Sequence, residues 1–168
     1  NKFKMPQVWR SSLALDYTTQ DQWKFTVEGI YTKVIHDLKF QQVNTKDSVT
    51  YYPYDTQHQQ PIFVNQKVNT QYTNAYLLSN TSQGYRYSAT AQIAKNTQFN
   101  PLNALNFSVA YTYGHSKDVT NGIRNSMESN WQLNQALNPN NPGLANSNFD
   151  IRHRIVSTVN FRHDWDAA

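Results

Sequence analysis

Cysteine is missing altogether, which removes any disulfide framework, thiolate nucleophile or thiolate-bound zinc. No apolar run approaches the roughly twenty residues a membrane helix needs, so any membrane passage here is made of strands. The chain opens on Asn-Lys-Phe-Lys-Met-Pro without a signal-peptide core, so a targeting segment is expected outside these residues. Charge is also scarce, at 15% of 168 residues with a formal net charge of +4. Apart from Arg152 and Arg154 the basic residues are scattered, and nucleic acid is not expected as a partner. His36, His58, His115 and His163 stand far apart at no metal-ligand spacing, so neither a metal nor a cofactor is expected. Asp16, Glu28 and Asp150 have no serine elbow or placed histidine beside them, which argues against an enzyme.

Mean hydropathy is nevertheless −0.76. The polarity comes from Asn, Gln, Ser, Thr and Tyr, whereas a soluble surface leans on Lys and Glu. Such residues suit a water-filled lumen or large polar loops.

What the chain does have is alternation. From Tyr85 to Ile93 the odd positions are Tyr, Tyr, Ala, Ala and Ile, separated by Arg86, Ser88, Thr90 and Gln92. After a turn-rich interval from Asn96 to Asn103, Leu105, Phe107, Val109, Tyr111 and Tyr113 resume the pattern. Period two sends successive side chains to opposite faces of a strand. The same pattern predicts strands over 8–18, 23–40 and 150–163, with a tight turn at Thr19 to Gln22. Residues 41–83 and 118–149 read as long polar loops, holding short strands near 62–64 and 72–78 and a helix over 126–137. Asn138 to Gly143 contains too much Asn, Pro and Gly for regular structure.

Two architectures use such strands. A soluble sandwich buries the apolar face, while an outer-membrane barrel turns it to lipid. Strand length favours the barrel, since a tilted membrane strand takes roughly nine to eleven residues and a soluble one about five or six. Charges fall on the even face: Arg10, Asp16, Lys24, Glu28, Arg86, Arg152, Arg154 and Arg162. Lys33, Lys95 and Lys117, on the odd face, stand where strands are predicted to run out. Long and short connections alternate, as barrels with short periplasmic turns and long outer loops require. Parity then collects Trp23, Phe25, Phe107, Phe161 and Trp165 at one rim. Trp9, Tyr31, Tyr85, Tyr87, Tyr111 and Tyr113 collect at the other.

The expected fold class is therefore all-β, an antiparallel transmembrane β-barrel. About five long strands and two long extracellular loops make a partial barrel, since single-chain barrels have at least about eight. Residues 1–168 are expected to be part of one barrel domain whose remaining strands lie outside them.

Particular stretches carry a resemblance. Phe3-Lys4-Met5-Pro6-Gln7-Val8-Trp9-Arg10 and Val27-Glu28-Gly29-Ile30-Tyr31-Thr32-Lys33 stand in the first half. Tyr76 to Tyr85, Ala110 to Asp118 and Asn148 to Val156, with its Asp-x-x-His-Arg, follow in order. Together they resemble the barrel of Oar-like TonB-dependent outer-membrane receptors, and the resemblance covers nearly the whole chain. It implies a barrel of about 22 strands closed by a plug, with a TonB box coupling transport to the inner-membrane proton gradient. The plug lies outside these residues. The partners it implies are outer-membrane lipid, the TonB complex reached through that plug, and a ligand of unassigned class; an accessory lipoprotein is compatible with it.

Within that frame Leu13, Leu15, Val27, Ile93, Val109, Ile155 and Val159 are expected to face lipid. Arg10, Glu28, Arg86, Arg152 and Arg154 are expected to face the lumen, with Arg152 and Arg154 paired to lumen or plug carboxylates and His153 at the outer interface. Trp23, Phe25, Tyr111, Tyr113, Phe161 and Trp165 form the aromatic girdles. Tyr51, Tyr52, Tyr54, Phe63 and Trp131 are the loop aromatics able to stack on a sugar ring or anchor a peptide, or to pack the loops together. Two other readings stay open: an adhesive or structural barrel displaying its loops, and a soluble carbohydrate-binding sandwich.

Overall fold

The computed structural model describes residues 3–46, 49–53, 59–63, 66–120, 124–136 and 138–165, with backbone alone for 49–53 and 59–63. The elements in chain order are β1 (Gln7–Thr18), β2 (Trp23–Gln42), β3 (Val49–Pro53), β4 (Gln59–Phe63), β5 (Tyr76–Thr81), β6 (Tyr85–Asn100), β7 (Asn103–Asp118), α1 (Met127–Gln132), β8 (Ala145–Asn146) and β9 (His153–His163). The fold is all-β and mostly antiparallel sheet. The chain forms two compact units.

The strand unit takes in residues 9–33, 85–117 and 149–168. Its sheet runs β1-β2-β6-β7, with β9 on the far side of β7, and it is not closed. The order follows the chain, because each strand turns back on its predecessor. Thr19 makes the first turn: its N–H donates to Trp23 O at 2.9 Å and its Oγ1 accepts Trp23 N–H at 3.2 Å. Gln22 closes that turn at a left-handed φ of 63°, a conformation glycine would adopt more freely.

Register keeps every face pure. Trp23 pairs Lys95, which pairs Phe107, which pairs Val159; Val27, Ala91, Tyr111 and Ile155 form another such row. On the other face Glu28, Thr90, Thr112 and Arg154 share a row, and the Thr90 and Thr112 hydroxyls meet at 2.9 Å.

On β2 and β7 the exposure of the two faces is the reverse of a water-soluble sheet, while β1 and β9 are exposed on both faces. Val27, Gly29 and Tyr31 are exposed, and Thr26, Glu28 and Ile30 between them are half-buried. Likewise Val109 and Tyr111 are exposed while Ser108, Ala110 and Thr112 are half-buried. On the edge strands Leu13 is 72% exposed, Ile155 72% and Val159 76%. Among the described residues the buried apolar side chains are Phe40, Val119 and Pro142, and all lie in the other unit.

The loop unit comprises residues 1–8, 34–84 and 118–148. Here Asp37 to Gln42 of β2 pair with Thr81 to Tyr76 of β5, β3 pairs with β4, and α1 packs against β5. Ser126 caps α1, its Oγ accepting Ser129 N–H at 3.2 Å.

Several sequence expectations are corrected. The turn expected over 96–103 is only Pro101 and Leu102. Asn96, Thr97 and Gln98 stay in the ladder against Asn106, Leu105 and Ala104. Asn100 makes the reversal, its Oδ1 accepting Leu102 N–H at 3.0 Å and Asn103 Nδ2–H at 2.9 Å. Lys95 is therefore not at a strand end; its ammonium lies 4.7 Å from the centre of the Trp23 ring. The last strand begins at His153 rather than Asp150, because the Asp150 carboxylate is drawn onto β7. The helix is shorter than 126–137, and the loop strands lie at 59–63 and 76–81, with β3 unanticipated.

Candidate functional site

The loop unit is held by amides rather than by an apolar core. Gln42, 2% exposed, accepts Asn44 N–H at 3.0 Å and Ala75 N–H at 2.9 Å on its Oε1, and donates Nε2–H to Asn74 at 2.9 Å. Asn44 donates to the carbonyls of Asn69 and Tyr72 and accepts Asn69 N–H. Asn130 spans Arg124, accepting its N–H at 3.1 Å and donating to its carbonyl at 2.8 Å. Buried amides with both ends satisfied stabilise a polar interior that unpaired ones would break.

Asn140 holds the most consequential of these contacts. Its Oδ1 accepts Gln42 N–H at 2.8 Å and its Nδ2 donates to Gln42 O at 3.0 Å, as a neighbouring strand would. The same Oδ1 accepts the indole N–H of Trp131 at 2.8 Å. Trp131 in turn meets the ring of Tyr76 at 6.1 Å between centroids, tilted by 59°. Burial first, then the carboxylate of Glu128, push the Tyr76 phenol above its ordinary range, so it stays neutral. Around these rings is a cavity of about 170 Å³ that Asn74, Asn138 and Lys46 also line.

In the strand unit a second cluster forms at the entrance to β9. The Asp150 carboxylate accepts Ser116 N–H at 2.7 Å, and lies 2.5 Å from Arg152 Nε and 3.1 Å from His115 Nδ1. The Arg152 guanidinium, followed by the Ser116 and His115 hydrogen bonds, outweighs burial and holds the carboxyl down at about 2. A carboxylate so lowered stabilises the fold above its ordinary range, and that stability is lost as pH falls through about 2. Wild type is therefore expected to lose protection of the Ser116 amide on acidification from about pH 4 to pH 2, while Asp150→Asn shows no such step. Hydrogen exchange read at that amide checks it.

The sequence-predicted residues are placed as follows. Arg152 pairs with Asp150, two positions away, and precedes β9. Arg86 shares its row with Ser116, donating from Nε at 3.4 Å, and Arg154 shares its row with Glu28. Arg10 lies on β1, exposed on the edge. Of the lipid-facing set, Ile93 is half-buried and Leu13, Leu15, Val27, Val109, Ile155 and Val159 are exposed.

Trp23 meets Phe107 edge-on at 5.6 Å, with Phe25 one row inward and Phe161 one row outward. Trp165 packs on His163 at 4.5 Å. Tyr113 meets Tyr87 and His153, whereas Tyr111 stands on the Ala91 row and reaches His153 Nδ1 with its hydroxyl at 2.7 Å.

Of the loop aromatics, Tyr54 lies outside the described residues, as do the side chains of Tyr51, Tyr52 and Phe63. Trp131 is at the cavity, and Tyr76, Asn74, Asn138 and Asn140 are partners the sequence did not single out. Among the described residues no group of three His, Cys, Asp or Glu could hold a metal.

No family model matches the sequence, nor does any curated protein or solved structure.

Proposed function

We propose that this chain is part of the wall of a TonB-dependent outer-membrane transporter, a β-barrel that moves a scarce or large ligand under control of a plug. The observation that carries the reading is the inverted exposure along β2 and β7, whose apolar positions are left open while the polar positions between them are the more covered. In water an apolar sheet face needs a second layer. Among the described residues no apolar side chain of this unit is buried. Lipid supplies that layer for a barrel, and the half-buried polar face suits a lumen.

The lysines support the same reading. Lys33, Tyr85 and Lys117 form one row, and Trp23, Lys95 and Phe107 another. Between these rows the odd positions of β2, β6 and β7 carry no Asp, Glu, Lys or Arg, while the even ones hold Lys24, Glu28 and Arg86. From Tyr85 to Lys95 is the roughly nine to eleven residues that a tilted strand needs to cross hydrocarbon. Each boundary also has aromatic rings, over which a lysine stem can reach headgroups.

On this reading the two long connections are extracellular, and the whole protein supplies the remaining strands and the plug. Fractionation of cells expressing the whole protein tests it. The protein is expected in the outer-membrane pellet, resistant to alkaline carbonate and released by detergent. Recovery in the soluble fraction without detergent would rule the barrel out. A whole protein that inserts but lacks a plug and TonB box is an adhesive or structural barrel instead.

A further inference from the structure

We infer that the loop unit holds a saccharide-binding subsite, built where Trp131 and Tyr76 meet the amides of Asn74 and Asn138. The aromatic wall is fixed in advance. Trp131 is anchored through its indole N–H to Asn140, and Asn140 is clamped to both backbone groups of Gln42. A ligand stacking there does not have to order the ring, which removes much of the entropic penalty of binding.

The amides are aimed by the same logic. Asn74 Oδ1 accepts Gln42 Nε2–H at 2.9 Å, and Asn138 Oδ1 accepts Asn140 N–H at 2.9 Å and Asn141 N–H at 3.0 Å. Both oxygens are thereby committed, and the two amide nitrogens make no hydrogen bond among the described residues. Both residues line the cavity, and fixing each oxygen leaves the amide nitrogen as the group available to donate to a ligand.

The chemistry of the wall selects the ligand class. Among the described residues no carboxylate lines the cavity, which disfavours a cation, and Lys46 is the one charged residue there, which gives no bidentate clamp for phosphate or carboxylate. A peptide strand needs open backbone N–H and C=O groups, and those of Gln42 are already paired with Asn140. A neutral ring with one C–H face and many hydroxyl acceptors satisfies both the indole and the free amide donors. The volume of about 170 Å³ is below the roughly 300–1,000 Å³ of a site that encloses a whole ligand. It fits one sugar ring, the end or a branch of a longer glycan.

As the capture site of a transporter this subsite rests on the membrane reading, but binding is measured separately. The whole protein, in detergent if it needs it, is titrated calorimetrically with maltohexaose, cellohexaose, chitohexaose and xylohexaose, and with trialanine. At least one hexasaccharide is expected to bind. Trp131→Ala weakens it about tenfold or more, as loss of an aromatic anchor does. Trp131→Phe, which keeps a stacking face, restores most of that loss.

Asn138→Asp keeps the oxygen that holds the turn and puts a carboxylate oxygen in place of the donor, so it tests the site even if Trp131→Ala fails to fold; it too weakens binding. Binding to none of the four sugars overturns the proposal, as does binding indifferent to both Trp131→Ala and Asn138→Asp. Trialanine binding that is lost with Lys46→Ala makes the pocket a peptide site and overturns it equally. A protein that binds glycan yet fractionates as soluble keeps this subsite and loses the transport reading.

Discussion

Ala91→Arg is expected to deplete assembled protein in the outer membrane about tenfold or more, while Gln92→Arg, the next residue along β6, leaves it near wild type. Ala91 sits on the central strand between Val27 and Tyr111, on the row that also holds Ile155. Lys95 lies four positions further along the same strand, and Tyr85 six positions back, so residue 91 is near mid-span. A guanidinium there faces hydrocarbon at roughly 2–4 kcal/mol, against almost nothing at the interface.

Gln92 pairs Thr26 and Ala110 on the opposite face, which a lumen would keep wet. The comparison is decisive because both residues are solvent-exposed in the isolated chain. In a water-soluble protein that left both positions exposed an arginine at either would be harmless. Quantitative immunoblotting of the outer-membrane fraction measures the ratio, and equal levels for the two variants would remove lipid from the account.

The sequence carried the strand unit well because its organising signal is local. Alternation at Tyr85 to Ile93 or Leu105 to Tyr113 needs no knowledge of what pairs with what, and the odd-to-odd registers preserve it across the sheet. It misled where residue type stood in for position. The asparagines from Asn96 onward resemble a turn, yet Asn96 pairs Asn106 in an uninterrupted ladder, and Asn100 alone reverses the chain. Lys95 was misjudged as a consequence, since its strand continues and its ammonium is carried over Trp23 instead. The alternation predicts a strand through Asp150, because nothing in the pattern says that its carboxylate binds the Ser116 amide 34 positions back.

The loop unit was barely legible, for the opposite reason. Its amides act on backbone groups far away in sequence: Asn140 meets Gln42 across 98 positions. An asparagine that clamps a distant strand has the same local neighbours as one that dangles in water. Trp131 could be picked out because an aromatic in a polar loop is conspicuous. Tyr76 was absorbed into an expected strand over 72–78, and Asn74 and Asn138 were lost among many similar residues.

That dependence on distant amides predicts a large effect from one truncation. Asn140→Ala leaves the buried N–H and C=O of Gln42 without their partner and frees the indole of Trp131. Each buried group left unpaired costs about 1–3 kcal/mol, so exchange of the Gln42 amide is expected to quicken by about tenfold or more. Asn140→Asp separates shape from hydrogen bonding. At neutral pH it still accepts from Gln42 and Trp131 but cannot donate, and it sets a carboxylate against the Gln42 carbonyl.

Lowering the pH to about 4 protonates that carboxyl and restores a donor, so protection is expected to recover in Asn140→Asp and not in Asn140→Ala. Asn96→Ala, on an exposed ladder position, changes stability by less than about 0.5 kcal/mol and serves as the control. If Gln42 exchanges no faster in Asn140→Ala than in Asn96→Ala, the loop unit owes its order to something other than this clamp. The fixed indole on which the saccharide subsite depends would then lose its support as well.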